Sequence, residues 1–361
     1  MPDYDGTVVK IFSVCEGSGN GDWTLDEDQR FMTGYILKDG NILPSPGLKG
    51  ENGEYIFNQV GVDAIKSEIA RGRAVSIAFC ADQPMPGQEL GTGDESYMNF
   101  VDKNGKKTDD KLAEYWAQYT YDREYDPSDK KSVNKSVTAN HADCVVGYDD
   151  NFPKEYFNDP NGTIGGDGAW LVKNSWGVKQ EKNGEVLATW GNAGTGYFWL
   201  SYYYQSTCEP ESFDFDVDTD TTERNIEMYD FLPHGGQVSA DFDDDVYMAN
   251  VFTAKSNCTV RYIGLESPNA DTDIEYSVYM LSYDHKSPID GTCFAKATEH
   301  FNYAGYHVVD IGKTCFIPEG VEYLKLHPEK RARYTLPRIL TLQDTKRMAT
   351  VIRCRTTQRQ S

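Results

Sequence analysis

Two short segments constrain this chain more than anything else in it. The first, Asn140-His141-Ala142-Asp143-Cys144-Val145-Val146-Gly147-Tyr148-Asp149-Asp150, starts a strand with a histidine and continues it with apolar residues. The second, Ala169-Trp170-Leu171-Val172-Lys173-Asn174-Ser175-Trp176-Gly177, ends a buried strand on an asparagine. A strand anchored in the core by its apolar residues can hold a polar first or last residue at the rim of a cleft. His141 is then a candidate general acid and base. The side-chain carbonyl of Asn174 can accept the imidazole N–H and fix the ring's orientation. Trp176 can cover that hydrogen bond, and excluding water strengthens it.

Around these motifs the hydrophobic pattern gives a coarse map. Val62, Ile65, Ile69 and Ala70 share one face of a predicted helix over Val62–Arg71, and Gly72 is its stop. Ala74–Phe79 reads as a buried strand and Tyr115–Tyr121 as an alternating one. Strands follow at His141–Tyr148, Gly168–Asn174 and Gly196–Tyr204, with Val178–Gly194 as a surface loop. Residues 206–225 are acidic and turn-rich and read as a linker. Asp214, Asp216, Asp218 and Asp220 alternate there as carboxylates, but without the central glycine and final glutamate of an EF-hand loop. Residues 226–325 hold short strands at Tyr247–Thr253, Cys258–Glu266, Glu275–Tyr283 and Tyr306–Ile311, the pattern of a β-sandwich. From about Leu326 the charge changes sign, with ten Lys and Arg against three Asp and Glu in 321–361. The expected division is therefore 1–205, a linker 206–225, a sandwich 226–325 and a basic, off-pattern tail 326–361.

The histidine and asparagine motifs resemble those of the papain family of cysteine peptidases. Gly196-Tyr197-Phe198-Trp199-Leu200-Ser201-Tyr202 is similar to the strand after the family's asparagine motif. The run from Ala64 to Phe79 is similar to the helix and strand before its histidine. A lone Asn-Ser-Trp-Gly carries little weight, whereas four segments in the family's order are specific. The resemblance covers about residues 40–205. It points to bacterial members that carry a lectin-like β-sandwich after the protease, and the segment Ala249–Ser267 with Tyr276–Asp284 resembles that appended domain. The fold this implies is α+β, a papain-like antiparallel β-barrel half followed by an all-β lectin-like sandwich. Tyr262, Tyr276, Tyr279 and Tyr283 in that sandwich read as core residues.

The same resemblance calls for a nucleophilic cysteine at the start of a long helix, where the helix N-terminus and the histidine lower the thiol's pKa. No such motif occurs. Cys15 stands at plausible spacing before His141, but among glycines beside Glu16, a context that disfavours both helix and thiolate. Cys80 follows the strand before the histidine, and Cys144 sits on the histidine's own strand. All three read as structural cysteines, and the expectation is a fragment lacking the cysteine helix.

Composition excludes some partners. A net charge of −22 argues against nucleic acid and anionic membranes. Eight scattered cysteines without a CxxC pair argue against structural zinc. No stretch approaches a membrane span, and no cofactor is implied. The implied activity is thiol endopeptidase chemistry on a peptide or protein substrate. The sandwich is expected to meet a cell-wall or carbohydrate ligand, and the location to be extracellular or at the cell surface. Two other readings remain at this level: a non-catalytic binder of peptide or cell-wall ligands that keeps the cleft, and an adhesion module centred on the sandwich.

Overall fold

A computed structural model describes residues 35–81, 96–99, 114–175, 178–182, 185–189, 191–208, 210–217, 238–239, 246–287, 289–329 and 333–334. Cys15, Trp176 and nearly all of the basic tail lie outside the described residues. The chain divides into a small unit, residues 1–36 with 215–225, and a large one, residues 37–214 with 226–361. Of the small unit, only the strand ends 35–36 and 215–217 are described.

The large unit begins with β1 (Tyr35–Ile42, its first residues in the small unit), the hairpin β2 (Gly47–Lys49) and β3 (Tyr55–Phe57), and helix α1 (Gln59–Ala70). Next come β4 (Val75–Phe79), β5 (Ala117–Gln118), β6 (His141–Asp149) and β7 (Ala169–Lys173). The hairpin β8 (Lys179–Lys182) and β9 (Glu185–Thr189) precedes β10 (Tyr197–Ser201) and β11 (Glu211–Val217). Helix α1 starts three residues before the sequence pattern suggests. The reason is Asn58, whose side chain accepts the Val60 amide at 3.2 Å and so caps the helix. Gly72 ends it at φ +83°, a conformation glycine takes without strain. Val62 and Ile65 of α1 pack on Val75, Ile77 and Phe79 of β4, Val145 of β6, Trp170 and Val172 of β7, and Phe198 and Leu200 of β10. This apolar layer anchors the two motif strands.

The remaining strands are β12 (Val238–Ser239), β13 (Val246–Thr253), β14 (Cys258–Ser267), β15 (Thr272–Leu281), β16 (Gly291–Phe301), β17 (Ala304–Ile317), β18 (Glu322–Glu329) and β19 (Arg333–Tyr334). A four-stranded sheet runs β13-β18-β15-β16. Its Ile274, Tyr276, Val278 and Ala295 face Ile263 and Leu265 of β14 and Ile311 of β17 across a shared core. Two sheets packed on one apolar layer make a sandwich.

The larger sheet has nine strands in the order β14-β17-β1-β11-β4-β6-β7-β10-β5. It corrects the sequence reading in several ways. It is open at β14 and β5 and forms no closed barrel, and α1 is the one α-helix of the large unit among the described residues. It is not wholly antiparallel, because β5 joins β10 in parallel, Trp199 opposite Ala117. It also runs through both halves of the molecule. β1 pairs with β17 from Asp39 opposite His307 to Ile42 opposite Ala304, and β11 pairs with β4.

The segment read as a linker is thus partly a sheet strand. Ser212 is fully buried and donates to Glu68 at 2.9 Å, while Asp214 pairs with Arg73 at 2.7 Å. Glu68, itself fully buried, also takes Arg71 and Arg73 at 2.9 Å. The acidic composition hid this strand, of which Asp214 is matched by Arg73 just past the helix end. The change of sign near Leu326 likewise falls inside β18, which pairs with β13 and β15. Val178–Gly194, read as loop, contains the β8–β9 hairpin, which among the described residues pairs with itself alone.

Candidate active site

The site forms where β4, β6 and β7 lie side by side. Phe79 pairs with His141, and their rings meet edge to face at 5.6 Å. Asn140 fixes the start of β6. Its amide side chain donates to the Ala81 carbonyl at 2.9 Å and accepts the Ala81 N–H at 2.7 Å, as a backbone strand would. The imidazole thus emerges at a tied-down strand end, its side chain 17% exposed.

Along β6, residues alternate. His141, Asp143 and Val145 turn inward, while Ala142 and Cys144 turn outward. Cys144 opposite Lys173 is the last ladder pair of β6 and β7 on this side. Continued one step past the ladder, this register would bring Asp143 opposite Asn174, on the face of β6 that His141 shares. Asn174 is buried, and its backbone N–H donates to the Gly196 carbonyl at 3.0 Å. A bulge at Val146 interrupts the ladder next to this point.

Asp143 is the residue sequence reasoning passed over. Its side chain is fully buried. Oδ1 accepts the Ser175 N–H at 3.0 Å, and Oδ2 stands 3.2 Å from His141 Nε2. Burial pushes its carboxyl above the usual range, opposed by the imidazole and by the bonds from Ser175. The signal was present, because two residues along a strand is the same face.

The sulfur candidates fare differently. Cys144 points away from the imidazole, and burial together with Asp143 pushes its thiol up, against a thiolate. Cys80 packs with the aromatic cluster of Tyr97, Tyr119, Tyr121 and Phe152, and its backbone is held by Ser206, Gln118 and Thr120. Neither is placed as a nucleophile toward His141. Cys15 and Trp176 are outside the described residues. In the sandwich, Tyr276 is buried and Tyr279 partly so, as expected of core. Tyr262 (54% exposed, beside the Arg261 guanidinium) and Tyr283 lie on the surface instead. Among the described residues no cluster of metal-binding side chains is gathered, and no helix is long and apolar enough to cross a membrane.

Comparison with known proteins gives a family match and four similar solved chains, two of which follow. Residues 228–337 match the model of the lectin-like domain family. The fold of the chain is similar to that of a clostridial cysteine protease, Cwp84 after propeptide cleavage, at TM-score 0.51 and 17% identity, over 84% of this chain and 59% of that one. A second structure holds the cysteine protease and lectin-like domains of Cwp84, a surface layer associated protein of Clostridium difficile. It matches at TM-score 0.49 and 17% identity, over 84% of this chain and 53% of that one. The chain therefore spans about three fifths or less of the protease chains it matches. No curated protein matches it.

Proposed function

We propose that this chain, with the fold of a papain-like protease joined to a lectin-like domain, serves as the histidine–asparagine side of a cysteine-type endopeptidase. The observation that supports the proposal is the register of β6 and β7, whose ladder ends at Cys144 opposite Lys173, one residue before Asn174 and three after His141. In this reading a thiolate attacks the peptide carbonyl. His141 protonates the leaving amine and then takes a proton from the water that releases the acyl group. Asn174 accepts an imidazole N–H and limits the ring's rotation. Cys80 and Cys144 are unsuited by placement, and the neighbours of Cys15 disfavour a thiolate, so the chain alone is expected not to hydrolyse peptides. The lectin-like domain would hold the enzyme near carbohydrate at a cell surface or outside the cell, with exposed Tyr262 as a sugar-stacking face.

The test is an assay of the full chain against a broad peptide library, with and without a cysteine-bearing helical segment added in trans. A thiol-directed inhibitor serves as control. Turnover on addition, lost in His141→Ala and reduced at least tenfold in Asn174→Ala, supports the proposal. Turnover by the chain alone that Cys15→Ala abolishes keeps the endopeptidase and makes Cys15 its nucleophile. Peptide binding without turnover under every condition overturns it in favour of a binding protein.

A further inference from the structure

We infer that Asp143 is the positioning residue that holds the His141 imidazole in its Nε2–H tautomer. The inference rests on the reading of His141 as acid and base and extends it: the one N–H of the neutral imidazole is directed at Asp143, and Asn174 shares it as a second acceptor. Three observations carry it. Oδ2 of Asp143 is buried and has no hydrogen-bond donor in bonding geometry among the described residues, and His141 Nε2 lies 3.2 Å away. The other oxygen, Oδ1, is already committed to the Ser175 N–H, which fixes the rotation of the carboxylate. The pair share a strand face two residues apart, and Asn140 ties down the strand's start, so their separation is set by backbone.

A buried acceptor without a donor is costly, and the buried His141 Nε2 likewise lies out of bonding geometry with it; a turn of the ring that aims its N–H along the 3.2 Å line to Oδ2 removes both costs. A proton on Nε2 leaves the lone pair on Nδ1. Nδ1 is then the nitrogen with a lone pair to take a proton from a thiol or from water. The carboxylate also favours the imidazolium that forms during turnover, which a neutral amide does less well. Asp143 does not itself need to give or take a proton.

The geometry makes an unusual prediction for one substitution. In Asp143→Asn, the Ser175 N–H still requires an acceptor and so selects the amide oxygen for the Oδ1 position. The amide NH2 then occupies the place of Oδ2 and points a donor at Nε2. The neutral imidazole must answer with a lone pair there, so its proton moves to Nδ1. The two nitrogens exchange roles.

The experiment is nitrogen NMR of the full chain labelled with 15N-histidine. It is run at alkaline pH, where the imidazole is neutral and the carboxylate ionised. His141→Gln assigns the signal among the six histidines. A pyridine-type nitrogen resonates far downfield of a pyrrole-type one. The expected wild-type spectrum has Nδ1 pyridine-type and Nε2 pyrrole-type, exchanged in Asp143→Asn and retained in Asn174→Ala. A wild-type Nδ1–H tautomer, or a pattern that Asn174→Ala inverts and Asp143→Asn leaves alone, overturns the inference. The wild-type measurement needs no variant to fold. None of it needs turnover, so an inactive chain with the expected tautomer would count against the proposed protease and not against Asp143.

Discussion

At the scale of single residues, period-two alternation decides what the site contains. His141 and Asn174 stood out as candidates because both lie at strand ends in recognisable surroundings. Asp143 was not, because a carboxylate in the middle of a strand resembles a solvent-facing residue until its neighbours are known. The same alternation separates Cys144 from the imidazole, although three positions in sequence suggest closeness. Asp143 also leaves a signature in the pH dependence of stability. Its carboxyl titrates above an unfolded aspartate's value of about 3.9 because it is buried. The protonated form is therefore favoured in the folded state, and the stability it contributes is lost as pH rises from about 3.9 through the folded value. Asp143→Asn removes that loss. Thermal melts across this window should show the variant gaining on the wild type as pH rises, and a difference that stays flat or shrinks would contradict the assignment.

At the scale of elements, the strands flanking the site were found by their apolar runs, with ends up to three residues off. What escaped were elements held by pairings that a local pattern does not announce. β11 looked like a linker because its aspartates looked solvated. β1 lay in a glycine-rich stretch without periodicity, yet it joins β17 to β11. The β1–β17 ladder depends on Gly305. It sits at φ +130° opposite Asn41, and a Cβ there would overlap the Gly40 carbonyl oxygen. Gly305→Ala should cost about 1–3 kcal/mol in backbone strain alone, before the ladder yields. Denaturant titration should give that loss, and hydrogen exchange should show faster amides over Asp39–Ile42. A variant with both properties unchanged would mean that the ladder is not needed there.

At the scale of the whole molecule, the order of fold types was legible, and the way they are joined was not. Sequence suggests two bodies on an acidic tether; the larger sheet passes from one into the other through β11, β1 and β17. The cause is the non-local pairing of β1 with strands far later in the chain, which no window of sequence contains. Limited proteolysis of the full chain should therefore spare Glu211–Val217. A piece beginning near Ile226 should melt below the intact chain, since it loses the partner of β17 and the contact of the buried His307 with Asp39 at 3.2 Å. Cleavage within 211–217, or a released piece as stable as the whole, would argue for independent bodies after all.

The shared sheet also gives the molecule a mechanical character. If the lectin-like end is held and the other end is pulled, tension does not run along the polypeptide alone. It divides between the covalent chain and the row of backbone bonds from Asp39–His307 to Ile42–Ala304. That row must tear before the intervening chain can extend. The same strands run from the lectin-like domain to the candidate site, so a load on one reaches β4 and β6 through β11 and can be felt where Phe79 meets His141.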